Sequence, residues 1–410
     1  MSLDNLHVSS TIRRLVCSAS GREVPTGGFH RPIGLCPCCP PPGRPVVVEY
    51  DLDRIALGTP DRSRGIWSFA ELLPVSGVPT SFAADVGLTP IVELDPWSDE
   101  LGVTVLAKNE GVNPSGSFKD RGLAVGIAFG RACGAERFCL PTQGNAGVAA
   151  SLFSARLGLP GCLVYMPDGY QDGLYHREAR YFGAEVRFHG ENIAAAGRKM
   201  RDDVAGELAS GAYVDMSTFF EPGRLEGKKT MGLEIAHELG ADDLPDWILY
   251  PTGGGTGLVG IWKALQELVG LGAITPGRHR LPRLVAVQSA NCAPVVESFD
   301  EGLSEVRPVT SKGTVADGLD VPGAIMGHGI LAALRESNGT ALAVTEDEIV
   351  TAFAACGRIG VSASFESAAL VAAMHRLRGS GVIGDGERVL LLLTAGHLIA
   401  LGQRRVPTWD

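Results

Sequence analysis

The chain has 410 residues, more than one ordinary hydrophobic core organises, and this length favours two or more domains. Acidic residues (46) outnumber lysine plus arginine (36), and the formal net charge of −10 argues against general binding to nucleic acids or anionic membrane surfaces. No apolar run approaches the roughly 18 residues that span a bilayer, and the N-terminal stretch lacks the apolar core of a signal peptide, so we expect a cytoplasmic protein.

Two short patterns near the N-terminus have the cysteine spacing of a metal site. Cys17 and Ser20 hold the ends of one C-x-x-C pattern, and Cys36 and Cys39 hold the ends of the other. A closed tetrahedral zinc site needs four strong ligands, and a serine hydroxyl is a poor one. We therefore expect no bound metal here, with Cys17, Cys36 and Cys39 as weak zinc candidates; a bound structural zinc is the alternative.

Beyond residue 50 the chain alternates short apolar runs with helical patterns. The predicted strands are VTVLAK, ERFCLPT, CLVYMP, AEVRFHG, DWILYPT, RLVAVQS and RVLLLLT. The predicted helices include LAVGIAFGRACG, NAGVAASLFSARLG, EGKKTMGLEIAHELG and FESAALVAAMHRLRG. Strands that alternate with helices form βαβ units with parallel sheets, and uniformly apolar strands are covered on both faces. We therefore predict an α/β fold, whose ligands bind beside the carboxyl ends of the strands.

The segment NPSGSFKDRG, residues 113–122, places a single lysine at the predicted start of a helix. Small residues and a proline surround Lys119, as on a tight turn. An isolated lysine is usually a solvated side chain. A catalytic role for Lys119 therefore requires a group with which its amine reacts, bound at the end of another strand.

Two basic runs occur in helical patterns, HREAR around His176 and EGKKT around Lys228. Such runs usually form solvent-exposed faces, and we predict this for both. The alternative is recognition of a carboxylate or phosphate.

The segment PTGGGTG, residues 251–257, lies between a predicted strand and the helical pattern LVGIWKALQELVG. Its glycines let backbone N–H groups converge on an anion, and the helix adds its positive N-terminal end. No lysine–serine pair follows, so the pattern is not that of a P-loop. Such a cradle without a magnesium ligand suits one permanently bound phosphate monoester; a flexible turn is the alternative.

A bound monophosphate and an isolated lysine together indicate pyridoxal phosphate. The aldehyde of this cofactor forms a Schiff base with a lysine, and its ring withdraws electrons from the substrate. Lys119 is the candidate lysine for this attachment.

The motif NPSGSFKDRG resembles the lysine motif of threonine synthases, which are tryptophan synthase β-type (fold type II) enzymes. This resemblance spans roughly residues 80–400 and implies two three-layer αβα domains with pyridoxal phosphate on Lys119. It also implies that Asn145, in QGNAG, bonds the 3′ oxygen of the cofactor and that Thr394, in LLLTAGH, faces its pyridine nitrogen. The phosphate-binding residues that it implies are Gly253, Gly254, Gly255, Thr256 and Gly257.

The resemblance further implies how the chain is organised and what it binds. Residues 1–50 would form a degenerate zinc-ribbon-like arm. Residues 51–130 and 225–410 would form a large cofactor-binding domain, and residues 131–224 a small inserted one. The substrate would be a small amino acid, and the protein a homodimer. The expected substrate contacts are Ser117, Arg224 and Glu366.

Several positions depart from the threonine synthase pattern. Ala146 stands where a threonine is expected, and Gly254 and Gly255 stand where the phosphate loop is expected to carry an asparagine. Glu366 lies in SFESAA instead of PEGAA, and AGHLIALG lacks the glycine-x-lysine ending. Only Arg224 matches a basic residue of the second phosphate site, which binds the phosphate of the substrate.

Three hypotheses follow. The first is conversion of O-phosphohomoserine and water to threonine and phosphate. The second is β-elimination or β-replacement on serine, threonine or O-phosphoserine, which needs no second phosphate site. The third is a non-catalytic paralogue that keeps the fold; the intact Lys119 motif, asparagine loop and glycine loop argue against it.

Overall fold

The predicted strands and helices form in the structure, a computed structural model that describes residues 5–402. The strands are β1 (His7–Val8), β2 (Ile12–Cys17), β3 (Val46–Tyr50), β4 (Val75–Ser76), β5 (Ile91–Glu93), β6 (Thr104–Asn109), β7 (Arg137–Pro141), β8 (Leu163–Met166), β9 (Glu185–Phe188), β10 (Tyr213–Asp215), β11 (Trp247–Pro251), β12 (Arg283–Ser289), β13 (Thr340–Val344) and β14 (Arg388–Leu393). The helices are α1 (Thr80–Ala83), α2 (Asp95–Leu101), α3 (Lys119–Ala132), α4 (Asn145–Arg156), α5 (Leu174–Tyr181), α6 (Ile193–Asp203), α7 (Ala205–Ser210), α8 (Gly223–Leu239), α9 (Thr256–Gly270), α10 (Pro294–Asp300), α11 (Gly327–Glu336), α12 (Glu346–Arg358), α13 (Phe365–Gly379) and α14 (His397–Leu401).

The chain divides into two units, each built from two stretches of sequence. The first combines Met1–Leu88 with Lys119–Thr230, and the second combines Thr89–Phe118 with Met231–Asp410. These limits are not those of the predicted arm and domains, and that division stays a prediction.

The first unit contains a four-stranded parallel sheet in the order β10-β7-β8-β9. Its strands are short, and β8 is buried along its whole length. Helix α6 covers one face, where Met200 packs with Cys139, Leu163 and Tyr165. Two small antiparallel pairs, β1 with β4 and β2 with β3, complete the described strands of this unit.

The second unit contains a six-stranded sheet in the order β13-β12-β11-β14-β6-β5. All neighbouring strands in it are parallel except β5, which is antiparallel to β6. Strands β11 and β14 are almost entirely buried, as expected for a parallel sheet with both faces covered. The predicted α/β class with parallel sheets is therefore confirmed.

Three adjacent strands of the second unit, β11, β14 and β6, run in the same direction. Their carboxyl ends therefore lie at one edge of the sheet, where ligands bind in open α/β folds. The glycine loop leaves β11 at this edge, Thr394 follows β14, and the segment 110–118 follows β6. Within residues 5–402, no helix is both long enough and apolar enough to cross a membrane.

Candidate active site

The segment that leads to Lys119 is fixed by a buried carboxylate. Glu110, just after β6, is fully buried and accepts a hydrogen bond from Thr89 Oγ1 at 2.7 Å. The Asn113 side chain donates to the Glu110 carbonyl at 2.8 Å and to its carboxylate at 3.0 Å. Asn113, the first residue of the lysine motif, therefore stabilises the turn that follows β6.

The residue immediately before Lys119 is tied to the end of β14. The backbone N–H of Phe118 donates to the Thr394 carbonyl at 2.9 Å, and Ser117 forms an isolated β-bridge with Ala395. Ser117 and Thr394 are both buried. Lys119 follows as the first residue of α3 and is half-buried, so the predicted position of the lysine at a helix start is confirmed.

Ion pairs engage several of the other lysines. The Nζ atom of Lys108 lies 2.9 Å from a Glu234 carboxylate oxygen, and both side chains are buried. Further pairs join Lys199 to Asp203, Lys229 to Glu226 and Lys263 to Glu267. The assignment of the cofactor to Lys119 rests on its sequence motif and stays a prediction.

The EGKKT run is buried, so its predicted solvent-exposed face was wrong. Lys228 is 1% exposed and Lys229 is fully buried in α8. Lys229 lies 2.6 Å from Glu226 and 4.1 Å from the centre of the Tyr50 ring. Tyr50 also donates to Glu226 at 3.0 Å, so a residue far away in the sequence completes the burial of this charged pair.

The asparagine loop follows β7 in the first unit, and Asn145 is the first residue of α4. Its Oδ1 atom is buried and has no hydrogen-bond partner among the residues that the structure describes. Gly144 donates to Thr142 Oγ1 at 3.0 Å, and a Cβ at Gly144 would lie 2.8 Å from the Tyr175 ring. These contacts fix the conformation of the loop. Because buried polar atoms are normally paired, the unpaired Oδ1 atom of Asn145 indicates that a ligand supplies its hydrogen-bond partner.

The glycine loop between β11 and α9 needs its glycines for steric reasons. A Cβ at Gly253 would clash with the Gly318 carbonyl, and one at Gly257 would clash with the Tyr250 hydroxyl. Gly255 has a φ of +74°, and its Cβ would clash with Ile330. These three glycines pack against the second unit itself, whereas Gly254 is only half-buried.

Backbone donors in this loop are available for an anion. The N–H groups of Gly253, Gly254 and Gly255 donate to no backbone carbonyl within residues 5–402. Thr256 begins α9, so its N–H has no partner inside the helix. The Gly257 N–H is directed instead at the Tyr250 hydroxyl, whose pKa is raised by burial despite that hydrogen bond.

Glu366 stabilises the turn against which the glycine loop packs. It lies in the first turn of α13, and its Oε1 atom accepts the Gly318 N–H at 2.8 Å. The Gly318 carbonyl in turn abuts Gly253. Glu366 therefore holds the turn against which the loop packs; its predicted contact with the substrate stays a prediction.

Arg224 lies near the start of α8 and is 3% exposed. Its Nη1 atom donates to the Met216 carbonyl, and its Nε atom is buried without a partner in the described part of the chain. The Glu221 carboxylate accepts the backbone N–H groups of Gly223 and Arg224 at 2.6 and 2.9 Å. The unpartnered Nε leaves a donor for a ligand, and the predicted role of Arg224 in binding the substrate's phosphate stays a prediction.

Burial raises the pKa of Glu221 from 4.5 to about 7, although the Arg224 charge and the two N–H donors oppose this rise. Between these values the native protein binds a proton that the unfolded chain has lost, so stability falls as pH rises toward 7. We expect Glu221→Gln to flatten this fall in the apparent melting temperature. The exposed Glu191→Gln is the control; equal pH slopes for Glu221→Gln and wild type would contradict the assignment.

The two units divide the predicted site residues. The second unit holds Ser117, the glycine loop, Glu366 and Thr394, and brings the loop, Thr394 and Ser117 to one sheet edge. The first unit holds Lys119, Asn145 and Arg224. Lys119 is joined to that edge through the peptide bond to Phe118.

The second unit contains a cavity of about 570 Å³. Its lining includes Phe353, Arg358, Ser362 and His397, and none of the predicted site residues. His397 Nδ1 lies 2.8 Å from Ser362 Oγ, and that oxygen also accepts the His397 backbone N–H at 3.2 Å. This pair fixes the start of α14.

Three of the N-terminal cysteines come together in the first unit. The sulfur atoms of Cys17, Cys36 and Cys39 all lie within 4.8 Å of one another, and those of Cys17 and Cys39 are 3.5 Å apart. Burial opposes ionisation of Cys17, but hydrogen bonds from the Ser20 side chain and from the Ser20 and Ala19 backbone lower its pKa to about 6. The hydrogen bond with Cys17 raises the pKa of Cys39 to about 11.

The residues present fit pyridoxal phosphate. Gly253, Gly254 and Gly255 offer N–H groups that donate to no backbone carbonyl within residues 5–402, and they lie next to Thr256 at a helix N-terminus, where phosphate groups bind. Asn145 offers a buried amide for a ring substituent, and Lys119 offers an amine for the aldehyde.

Comparisons with known proteins agree with this fit. A family model described as pyridoxal-phosphate dependent enzyme matches residues 83–395. Over 356 residues the chain is 32% identical to a protein named threonine synthase from Methanosarcina acetivorans, which covers 86% of this chain and 83% of the relative.

Solved structures resemble the fold at lower identity. Threonine deaminase isoform 2 from Solanum lycopersicum has a TM-score of 0.62 at 19% identity and covers 75% of this chain and 83% of its own. A fungal L-serine ammonia-lyase from Rhizomucor miehei has a TM-score of 0.62 at 22% identity and covers 75% of this chain and 93% of its own. At such identities the likeness concerns the fold alone.

Proposed function

The chain belongs to the family of pyridoxal-phosphate dependent enzymes, and we propose that it is a lyase that converts O-phosphohomoserine and water to threonine and phosphate. Pyridoxal phosphate is the cofactor, as the lysine and the glycine loop predict. The fold is the predicted tryptophan synthase β-type, fold type II. We also propose the cytoplasmic location that the sequence favours and the homodimer that the family resemblance implies.

One observation carries the choice of substrate. The relative from Methanosarcina acetivorans, named threonine synthase, is 32% identical to this chain over 86% of the chain's length. Chemistry on a phosphorylated amino acid also needs a cation for the second phosphate, and Arg224 has a buried, unpartnered Nε atom.

Lys119 has two tasks in the proposed reaction. Its amine would hold the cofactor, and the same amine would serve as the base during turnover. When bound, pyridoxal phosphate supplies an electron sink that makes the substrate's Cα proton acidic. Lys119 removes that proton and then one from Cβ, which allows phosphate to leave from Cγ with its bonding electrons.

The reaction then needs a proton at Cγ, water at Cβ and a proton back at Cα. We propose that Lys119 returns one proton to Cγ and, after water has added its hydroxyl at Cβ, one proton to Cα to give threonine, while the second proton of the water goes to the released phosphate. A single base near three neighbouring carbons accounts for this proton traffic, because a general base must lie within hydrogen-bond reach of each proton it moves. The Phe118–Thr394 hydrogen bond would limit the range over which the base moves.

Different groups of the protein would bind the phosphate of the cofactor and the phosphate of the substrate. Backbone N–H groups of residues 253–256 would bind the cofactor's phosphate, whose position is constant throughout catalysis. The guanidinium of Arg224 would bind the substrate's phosphate, because a guanidinium can grip two oxygens of a dianion at once.

A second candidate function rests on particular residues. Ala146 and Gly254 lack the side-chain groups expected to hold a second phosphate. Elimination or replacement at Cβ of serine, threonine or O-phosphoserine requires no such site. This candidate uses the same Lys119, Asn145 and glycine loop, so only the substrate distinguishes it.

Replacement of Arg224 by alanine should raise the KM for O-phosphohomoserine at least about tenfold. A hydrogen bond to a charged group contributes about 1.5–3 kcal/mol, and 1.4 kcal/mol corresponds to a factor of ten. Cofactor absorbance should stay unchanged, because Arg224 is assigned to the substrate. Steady-state phosphate release at varied substrate concentration measures this effect.

Two controls separate binding from folding in this experiment. Arg224 is buried, so the apparent melting temperature of each variant must be recorded beside its kinetics. Arg224→Lys keeps a positive charge and should recover part of the lost affinity, and the exposed Arg198→Ala should change nothing. An unaltered KM in a folded Arg224→Ala enzyme would remove Arg224 from the substrate site.

A further inference from the structure

The cluster of three thiols in the first unit has the geometry of a metal site. Cys17 ends β2, and Cys36 and Cys39 lie on the turn that precedes β3. Their sulfur atoms lie within 4.8 Å of one another, and the three cysteines are not in disulfides. Tetrahedral zinc coordinated by thiolates brings sulfur atoms to such distances, since each Zn–S bond is about 2.3 Å long.

The backbone holds two of these thiols in place without a metal. Cys17 pairs with Val46 in the antiparallel β2–β3 ladder. Cys36 forms an isolated bridge with Arg44 and donates to its carbonyl at 2.7 Å. The tight turn between Cys36 and Arg44 requires Gly43, because the φ of this residue is +95° and a Cβ there would lie 3.0 Å from the Cys36 carbonyl oxygen.

Ser20 closes the first C-x-x-C pattern, three residues after Cys17. Ser20 is exposed and stands where a fourth cysteine would complete the pattern.

We propose that Cys17, Cys36 and Cys39 bind one Zn²⁺ ion, with an oxygen ligand beside Ser20 in the fourth position. Three soft thiolates select zinc over hard cations such as Mg²⁺ or Ca²⁺. The thiols lose their protons when the ion binds. From the sequence alone, Ser20 made a bound metal the weaker alternative. The three sulfur atoms that lie close together in the structure favour a bound metal instead.

Metal content of the full-length protein tests the proposal. The reduced protein is loaded with Zn²⁺, dialysed and analysed by mass spectrometry for metal, and Co²⁺ is used in parallel as an optical probe of thiolate coordination. We expect roughly one ion per chain and a sulfur-to-cobalt charge-transfer band. Cys36→Ser should lose the band and most of the metal, whereas Cys38→Ser should keep both, because Cys38 is exposed and outside the cluster.

Two further variants keep the test decisive. If Cys36→Ser does not fold, Cys39→Ser replaces it, since Cys39 is only half-buried. Ser20→Cys completes a four-thiolate site and should raise zinc affinity by about tenfold or more in competition with a chelator. Metal content no higher in the wild type than in the cysteine variants, or equal loss in Cys38→Ser, would overturn the proposal.

Discussion

Lys119→Ala should abolish covalent cofactor attachment and lower turnover at least about a thousandfold. The variant loses the amine that holds the aldehyde and the base that moves the protons, and a positioned base alone contributes about 10²–10⁴-fold. The glycine loop and Asn145 are untouched, so cofactor phosphate binding should persist in a weaker, non-covalent form. Turnover and the visible absorbance of the cofactor are the two measurements.

Peptide mapping after borohydride reduction identifies the attachment site directly. The pyridoxyl group should appear on Lys119 in the wild type and on no peptide of Lys119→Ala. The exposed Lys312→Ala serves as the matched control and should behave as the wild type. A pyridoxyl group on Lys108, Lys228 or Lys229 would refute the assignment of Lys119.

Gly254→Asp should reduce cofactor affinity about a hundredfold or more. Gly254 is the half-buried member of the three successive glycines, so an aspartate there would place its carboxylate beside the cofactor's phosphate. Like charges brought together at a binding site cost several kcal/mol, and 2.8 kcal/mol corresponds to about a hundredfold. Cofactor content after dialysis, measured by absorbance, reports the loss.

A matched glycine separates charge placement from general damage. Gly206→Asp adds the same charge on α7, where a Cβ meets no atom within 4 Å, and should leave cofactor content unchanged. If Gly254→Asp retains the cofactor as the wild type does, the glycine loop is not the phosphate site.

The sequence predicted the strands that position the site because they are buried on both faces. Strands β11 and β14 appear as short, nearly continuous apolar runs, and their length and flanking turn residues favour buried parallel strands over helices. The position of Lys119 at the start of α3 also followed from the glycines and proline around it. The loops at the strand ends could therefore be recognised before their geometry was known.

The support beneath the loops could not be predicted, since it depends on tertiary contacts. Tyr250 lies in an apolar strand, and nothing in its neighbours indicates that its hydroxyl abuts Gly257. Glu366 and Gly318 are 48 residues apart, and only the fold brings the carboxylate to that backbone N–H. The prediction that Lys229 is exposed was wrong for the same reason. Tyr50 and Glu226 contact its charged amine, and neither contact can be predicted from the neighbouring sequence.

The choice between the two proposed reactions rests on what the purified enzyme does with O-phosphohomoserine. Phosphate and threonine are measured together, beside parallel reactions with O-phosphoserine, serine and threonine in which ammonia and 2-oxo acid are also measured. We predict release of phosphate and threonine in equal amounts from O-phosphohomoserine. Absence of phosphate release, together with formation of ammonia and a 2-oxo acid from serine or threonine, would contradict the proposed threonine-forming reaction.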